Sequence, residues 1–216
     1  MSRTASTPAV ASSDRAERLE FLATRRSVPI AMLGEPGPDP SEVRRLLTIA
    51  TRVPDHGMLE PWRLIVIEGD ARRRLGERLA PIFVAENATM EQEKREKFAS
   101  TIARVFTHAP LVVVVVSRVD PAARISAWEQ ELSAGAVCMN LLHAAGALGF
   151  AGSWLTGWTA YSEGARGVLG LSQGEKIAGV IHIGAPKEAP ADRKRPDLDA
   201  IATWWRDEGT GAGEAR

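Results

Sequence analysis

Apolar residues along the chain follow two spacings, one typical of helices and one typical of buried strands. Apolar positions that recur every three or four residues predict amphipathic helices. Short unbroken apolar runs predict strands covered on both faces, because a half-exposed strand would alternate. The predicted helices span 14–25, 39–53, 70–80, 86–106, 128–148 and 162–169, the predicted strands span 64–67, 111–116, 149–157 and 177–183, and an apolar segment follows at 198–205.

The second of these helices has the clearest boundaries. Asp39, Pro40 and Glu42 occupy the N-cap, the first and the third helical positions, which these residue types favour. Pro54 ends the helix, because the residue before a proline avoids the helical region. Helices and strands interleave, with helices in excess. This pattern predicts an α+β sandwich with helices on both faces of the sheet.

The longest predicted helix, 128–148, is apolar around most of its circumference and rich in Ala and Gly. Small side chains let another helix approach closely, and a helix that is apolar on all sides is normally buried. We therefore expect a partner subunit to cover part of this helix, and Trp128 to pack in the core. Cys138 lies in the same helix, where a buried, inert thiol is expected.

Composition and charge narrow the class of protein. Hydrophobic residues make up 44% and charged residues 25% of the 216 residues, as in globular chains. The 27 basic side chains balance 27 acidic ones, which argues against a nucleic-acid partner bound through its phosphates. A single cysteine cannot form an intrachain disulfide. No apolar run reaches the roughly 18 residues of a membrane span, so we expect no membrane partner.

The two ends of the chain differ from its middle. Residues 1–13 are small and polar without the apolar core of a signal peptide, so we expect a disordered leader and a cytoplasmic protein. Residues 207–216 predict a disordered tail. No linker or repeat divides the remainder, which predicts one domain over 14–206. Within it, 86–108 is a helical excursion that could form a lid.

Familiar catalytic motifs are absent from the sequence. It contains neither a nucleophile elbow nor a Walker loop, and its 4 histidines lack the paired spacing of a metal site. We therefore expect no metal, and demanding chemistry would need a bound cofactor. Three segments carry groups suited to holding one.

Two of these segments carry positive charge. Arg25-Arg26-Ser27 places two guanidinium groups and a hydroxyl at a helix end, a combination suited to a phosphate. A solvated cationic helix terminus is the alternative. The segment 52–62 combines Arg52 and His56 with two prolines and a glycine, and such dense loops often carry function. His56 could instead be an ordinary turn residue.

The third segment, 149–157, is rich in glycine. Glycines would let its backbone approach a flat ring closely. The alternative is that small residues are needed here to pack a strand against the long helix. Trp62, which opens the strand after the second segment, is expected in the core.

Five motifs occur in a fixed order: R-R-S, R-x-P-D-H-x-x-x-x-P-W, W-E-Q-E-x-S-A-G, L-G-F-x-G-x-W and a strand ending G-x-P. In this order they resemble the FMN-dependent nitroreductase family, and most closely its compact NAD(P)H nitroreductase branch. The resemblance covers about 19–186 and extends loosely to 205. It implies a mainly antiparallel central sheet and a homodimer with FMN at the subunit interface.

The resemblance assigns the phosphate of FMN to basic residues at both ends of the domain. Arg25, Arg26 and Ser27 would bind this phosphate. A further basic residue near the C-terminus, Arg195 or Arg193, would reach it as well.

The resemblance assigns the flavin ring to two other segments. Arg52 and His56 would lie against the flavin, with His56 contributed by the other subunit. Trp154, Leu155 and Thr156 would follow the edge of the ring through backbone groups. Which arginine contacts the N1 and O2 atoms of the flavin is left open.

The implied activity is hydride transfer from NAD(P)H to FMN N5 and then to a nitroaromatic, a quinone or a similar acceptor, by a ping-pong mechanism. Glu60 departs from the commoner family pattern, which has Gln before Pro-Trp, and adds an anionic group near the flavin. The acceptor therefore stays open. Dehalogenation or enone reduction on the same scaffold, a flavin-storage protein with negligible turnover, and a cofactor-free interaction domain are the alternatives.

Overall fold

The computed structural model describes residues 12–205. The helices in this range are α1 (Ser12–Thr24), α2 (Pro40–Ala50), α3 (Ala71–Glu86), α4 (Gln92–Val105), α5 (Ala127–Ala147), α6 (Gly157–Tyr161), α7 (Glu163–Val168) and α8 (Leu198–Ile201). The strands are β1 (Leu33–Gly34), β2 (Trp62–Glu68), β3 (Leu111–Ser117), β4 (Ala151–Leu155) and β5 (Lys176–Pro186).

The strands form one antiparallel sheet in the order β1-β5-β3-β2, with β4 also paired to β5. β3 lies in the middle, where Val114 stands opposite Ile65 of β2 and Val180 of β5. Every residue of β3 is buried, which explains its unbroken run of apolar residues. β4 lies at an edge of the sheet and borders the candidate site.

Helices cover both faces of the sheet. On one face, α2 and α5 pack against side chains such as Val113 and Ile181. On the other, α3 and α7 pack against side chains such as Val112 and Val180. The predicted α+β sandwich with a mainly antiparallel sheet is therefore confirmed. None of the helices within the described part of the chain is long and apolar enough to cross a membrane.

Two predicted helix boundaries are wrong. The helix predicted to end before Pro81 continues to Glu86, because Leu79 and Phe83 on either side of the proline are buried in the core. The excursion predicted as one helix over 86–106 begins only at Gln92. Glu91 caps it by accepting the amide hydrogens of residues 93 and 94.

Three further expectations concern single residues and the chain ends. Trp62 is buried, as expected, but Trp128 is 67% exposed within the protomer, so its expected place in the core is wrong. The predicted leader lies outside the described residues except for its last two positions, which open α1. The predicted tail, 207–216, lies outside them as well.

Candidate functional site

Arginines from two distant parts of the sequence come together beside the end of α1. Arg25 and Arg26 follow α1, and the loop after β5 folds back over them. Arg26 Nε donates to the carbonyl of Ala191 at 3.1 Å. Partial burial lowers the pKa of Arg25, and three nearby positive charges lower it further. These charges belong to Arg195, Arg26 and Arg193. We call Arg25, Arg26, Arg193 and Arg195 the arginine cluster.

The arginine cluster has little negative charge to balance it. Asp192 accepts a hydrogen bond from Arg195 Nη2 at 2.9 Å and lies 3.8 Å from Arg26 Nε. Within residues 12–205, Arg25 has no carboxylate in ion-pair range. Like charges this close repel each other, so the arrangement favours an anion. Guanidinium groups suit phosphate because their planar donors match its oxygens.

Tight packing holds this corner of the molecule in place. The Val28 amide donates to the carbonyl of Gly152 on β4 at 3.2 Å, which ties the segment after Ser27 to the sheet edge. A Cβ atom on Gly146 would lie 2.6 Å from the ring of Phe21. Glycine at this position therefore lets α1 lie directly against α5. Ser27 is itself exposed.

The segment that carries Arg52 and His56 is a strained loop. Met58 and Glu60 have positive φ values of 52° and 46°, a conformation that non-glycine residues rarely adopt. The Asp55 carboxylate stabilises it by accepting the amide hydrogen of Glu60 at 2.8 Å. Arg52 and His56 are both exposed. Strain of this kind concentrates at functional sites.

His56 and the arginine cluster lie at opposite ends of α5. His56 Nδ1 is 2.9 Å from Glu129 Oε2 in the first turn of α5. Fourteen residues further along α5, burial lowers the pKa of His143, and the nearby charge of Arg25 lowers it further. Fourteen residues of helix span about 21 Å. The structure therefore does not bring His56 to the arginine cluster within this chain.

The predicted ring-binding residues lie at the end of β4, with Trp154 and Leu155 in the strand and Thr156 immediately after it. Trp154 lies on the α5 side, and its Nε1 donates to the carbonyl of Ala178 at 3.1 Å. Its indole fills the space above Gly179, where a Cβ atom would lie 2.3 Å from Nε1. All three residues border a cavity of about 440 Å³. The Thr156 side chain makes no capping hydrogen bond at the start of α6.

His182 lines the same cavity, and the sequence motifs do not single it out. It is 1% exposed, and its ring lies 6.0 Å from that of Phe106 in a stacked arrangement. Its Nδ1 has no hydrogen-bond partner. Burial, helped by the charge of His108, lowers its pKa to about 4. The only signal in the sequence is a histidine inside a buried strand, which by itself indicates packing.

One side of α5 exposes apolar side chains in the protomer. Trp128 and Leu132 are 67% and 52% exposed, and Ala136 and Met139 continue the same side half-buried. Next to it, a depression of about 310 Å³ is lined by His56, Glu129 and Leu132, among others. An apolar face of this kind is typical of a surface that another molecule covers.

Known proteins resemble this chain in both sequence and fold. Residues 22–185 match the model of the nitroreductase family. The chain is 31% identical over 190 residues to a protein of Escherichia coli (strain K12) named "Putative NAD(P)H nitroreductase YdjA", a match that covers 88% of this chain and 100% of the relative. A Haemophilus influenzae protein of the same general name is 33% identical over 173 residues, covering 80% of this chain and 90% of the relative.

Solved structures agree with the fold. A nitroreductase-like protein from Bacillus cereus superposes with a TM-score of 0.75 at 24% identity, covering 95% of this chain and 100% of that one. A nitroreductase with bound FMN from Bacteroides fragilis gives a TM-score of 0.67 at 20% identity, covering 88% and 99%. Since the family model covers most of the domain and the relatives match along nearly their whole length, this chain belongs to the nitroreductase family.

Proposed function

We propose that this protein is an FMN-dependent NAD(P)H oxidoreductase that works as a homodimer. The observation that carries the proposal is the arginine cluster. Four guanidinium groups converge there, and Asp192 is the one carboxylate within ion-pair range of them among residues 12–205. Such a donor set fits a phosphate monoester like that of FMN. Family membership supports the same cofactor.

Each group of residues has its own task in this proposal. The arginine cluster and Ser27 bind the phosphate. Backbone groups of Trp154, Leu155 and Thr156 hold the ring at the open edge of β4. FMN held by these residues would supply the hydride-transfer chemistry between NAD(P)H and a nitroaromatic, a quinone or a similar acceptor. The protein itself has to bind FMN, orient the two substrates against it and exclude water from the site.

The length of α5 supports the proposed homodimer. His56 is about 21 Å along that helix from the arginine cluster of its own protomer, so it would serve the flavin of the partner subunit. Arg52, in the same exposed loop, would act alongside it. The exposed side chains of Trp128 and Leu132 would form part of the interface that brings the loop to that flavin.

The first test is the visible spectrum of the purified protein, followed by identification of any chromophore released on denaturation. We expect a two-band flavin spectrum and release of FMN rather than FAD. A colourless protein that also fails to take up added FMN would refute the proposal.

A matched pair of variants then tests the phosphate assignment. Arg25→Ala should weaken FMN binding by about 10- to 150-fold, because a charge-assisted hydrogen bond contributes about 1.5–3 kcal/mol. The control is Arg45→Ala, which removes an exposed arginine of α2 and should bind FMN normally. Equal FMN affinity in the two variants would mean that the phosphate binds elsewhere.

The activity has a separate test. NADH and NADPH oxidation is followed with and without a nitroaromatic acceptor. Acceptor-dependent oxidation of either nucleotide is expected. A protein that holds FMN but oxidises neither would be a flavin-storage protein instead.

A further inference from the structure

Three polar residues of α5 lie on the side that faces residues 49–56. They are Glu129, Ser133 and Asn140, and all three contact this segment. Their spacing of four and seven residues places them on one face of the helix. In a helix that is mostly apolar and rich in small residues, three polar side chains on one face that all contact the same segment need an explanation beyond packing.

Two of them hold the main chain of the loop. Asn140 Nδ2 donates to the carbonyl of Ile49, near the end of α2, at 2.5 Å, and also to the carbonyl of Arg52 at 3.3 Å. Ser133 Oγ donates to the carbonyl of Pro54 at 2.8 Å. Both side chains therefore fix the backbone on either side of Val53, three residues before His56.

The third holds the side chain of His56. Glu129 Oε2 lies 2.9 Å from His56 Nδ1, and Glu129 Oε1 accepts a hydrogen bond from Ser126 at 3.2 Å. The hydrogen bonds from His56 and Ser126 lower the pKa of Glu129, so the carboxyl group is ionised at neutral pH. An ionised carboxylate can only accept, so the proton of the contact belongs to His56 Nδ1. Within residues 12–205, the Nε2 atom on the other side of the ring makes no hydrogen bond.

The neighbouring polar residues of the W-E-Q-E-x-S-A-G motif have different partners. Gln130 is buried and accepts the amide hydrogen of Asp120 at 2.8 Å. Glu131 pairs with Lys176 at 2.7 Å, at the start of β5. The two glutamates of one motif thus serve different parts of the molecule, and Glu131 provides a matched control for Glu129.

We propose that Glu129, Ser133 and Asn140 form a positioning ladder that fixes the loop and directs His56 Nε2 out of its own protomer, toward the flavin of the partner subunit. The destination of Nε2 rests on the proposed function. The ladder itself rests on contacts within one protomer. None of its three members touches the reacting atoms, so they act through His56 and Arg52.

The first experiment reads the histidine ring directly. Long-range ¹H–¹⁵N spectra of the full-length protein at pH 8 distinguish the Nδ1–H from the Nε2–H tautomer, and His56→Gln identifies the signal. The wild type and Glu131→Ala should show His56 as the Nδ1–H form. Glu129→Ala should shift the signal toward the other tautomer, and Glu129→Gln, which keeps an acceptor, should restore it. An unchanged tautomer in Glu129→Ala would overturn the proposal, whatever the state of the flavin.

The second experiment is a double-mutant cycle on FMN affinity. Glu129→Ala and His56→Gln should each weaken binding by about fivefold, the effect of one ordinary hydrogen bond. Their combination should weaken it no further, because Glu129 acts through His56. A combined loss of about 25-fold would overturn the ladder, since it would show independent effects. If Glu129→Ala changes the His56 tautomer but neither substitution alters FMN affinity, His56 does not contact the flavin. That result would overturn the assignment of His56 to the flavin but not the proposal that the protein binds FMN.

Discussion

Replacement of Glu175 by Gln tests the most buried ion pair of the described structure. Arg63 on β2 contacts Glu175 through two parallel hydrogen bonds, from Nε to Oε1 and from Nη2 to Oε2, both 2.7 Å long. The Ser172 amide donates to the same carboxylate at 2.7 Å. The Glu175 side chain is only 10% exposed, so little water competes for these contacts.

The size of the effect follows from the carboxyl group. The hydrogen bonds from Arg63, supported by the Ser172 amide and by nearby positive charge, lower the pKa of Glu175 from 4.5 to about 2 despite its burial. Each pKa unit is worth about 1.36 kcal/mol, so the ionised carboxylate stabilises the fold by about 3 kcal/mol at neutral pH. Gln keeps the shape and one acceptor. We therefore expect Glu175→Gln to lose about 2–3 kcal/mol.

The pH dependence has a definite sign. A carboxyl group with a lowered folded pKa stabilises fully above its unfolded pKa of 4.5 and loses this contribution as the pH falls toward about 2. The gap between wild type and Glu175→Gln should therefore narrow by about 0.8 kcal/mol between pH 7 and pH 4.

Urea unfolding at one protein concentration measures both quantities. The control is Glu163→Gln, which removes the partner of Arg166 in a surface pair whose glutamate is 82% exposed. It should cost less than about 0.5 kcal/mol. The reasoning would be refuted if Glu175→Gln lost no more unfolding free energy than the control variant. It would also be refuted if the stability difference between the wild type and Glu175→Gln stayed constant with pH.

Three further predictions follow from packing, burial and exposure. Gly76→Ala should destabilise the fold by about 1–3 kcal/mol, because the added Cβ would lie 2.1 Å from the carbonyl oxygen of Ala103. Gly167→Ala, which adds a Cβ in open space, should be neutral or stabilising in the same urea assay. Equal effects of the two substitutions would contradict this prediction. The pKa of His182 is about 4 in the folded protein against 6.5 unfolded, so the stability of the wild type should fall by about 2 kcal/mol from pH 7 to pH 5. His182→Gln should remove this part of the pH dependence. The same pH dependence in both proteins would mean that the buried ring takes up a proton in the folded state. Leu132→Asp should give a monomer by light scattering, since it charges an exposed apolar face, and a persistent dimer would place the interface elsewhere.

Local chemistry was enough to predict much of the fold. The Asp39 capping box is formed as expected, with Asp39 Oδ1 accepting two amide hydrogens of α2. The apolar run of β3 lies at the centre of the sheet because only a strand covered on both faces tolerates it. Boundaries were less secure where tertiary packing outweighed local preference, as at Pro81, where burial of the neighbouring apolar residues keeps α3 intact.

The candidate site divides in the same way. The residue types themselves predicted a phosphate site near Arg25 and a functional loop near His56, because guanidinium groups suit phosphate and loops dense in polar and turn residues often carry function. The approach of Arg195 to Arg25 and the contact between His56 and Glu129 depend on how distant segments fold together. No local spacing encodes such distances. The chain itself determined which groups were available, and only the tertiary structure decided which of them meet, because contacts across 73 or more residues are set by packing of whole helices and strands.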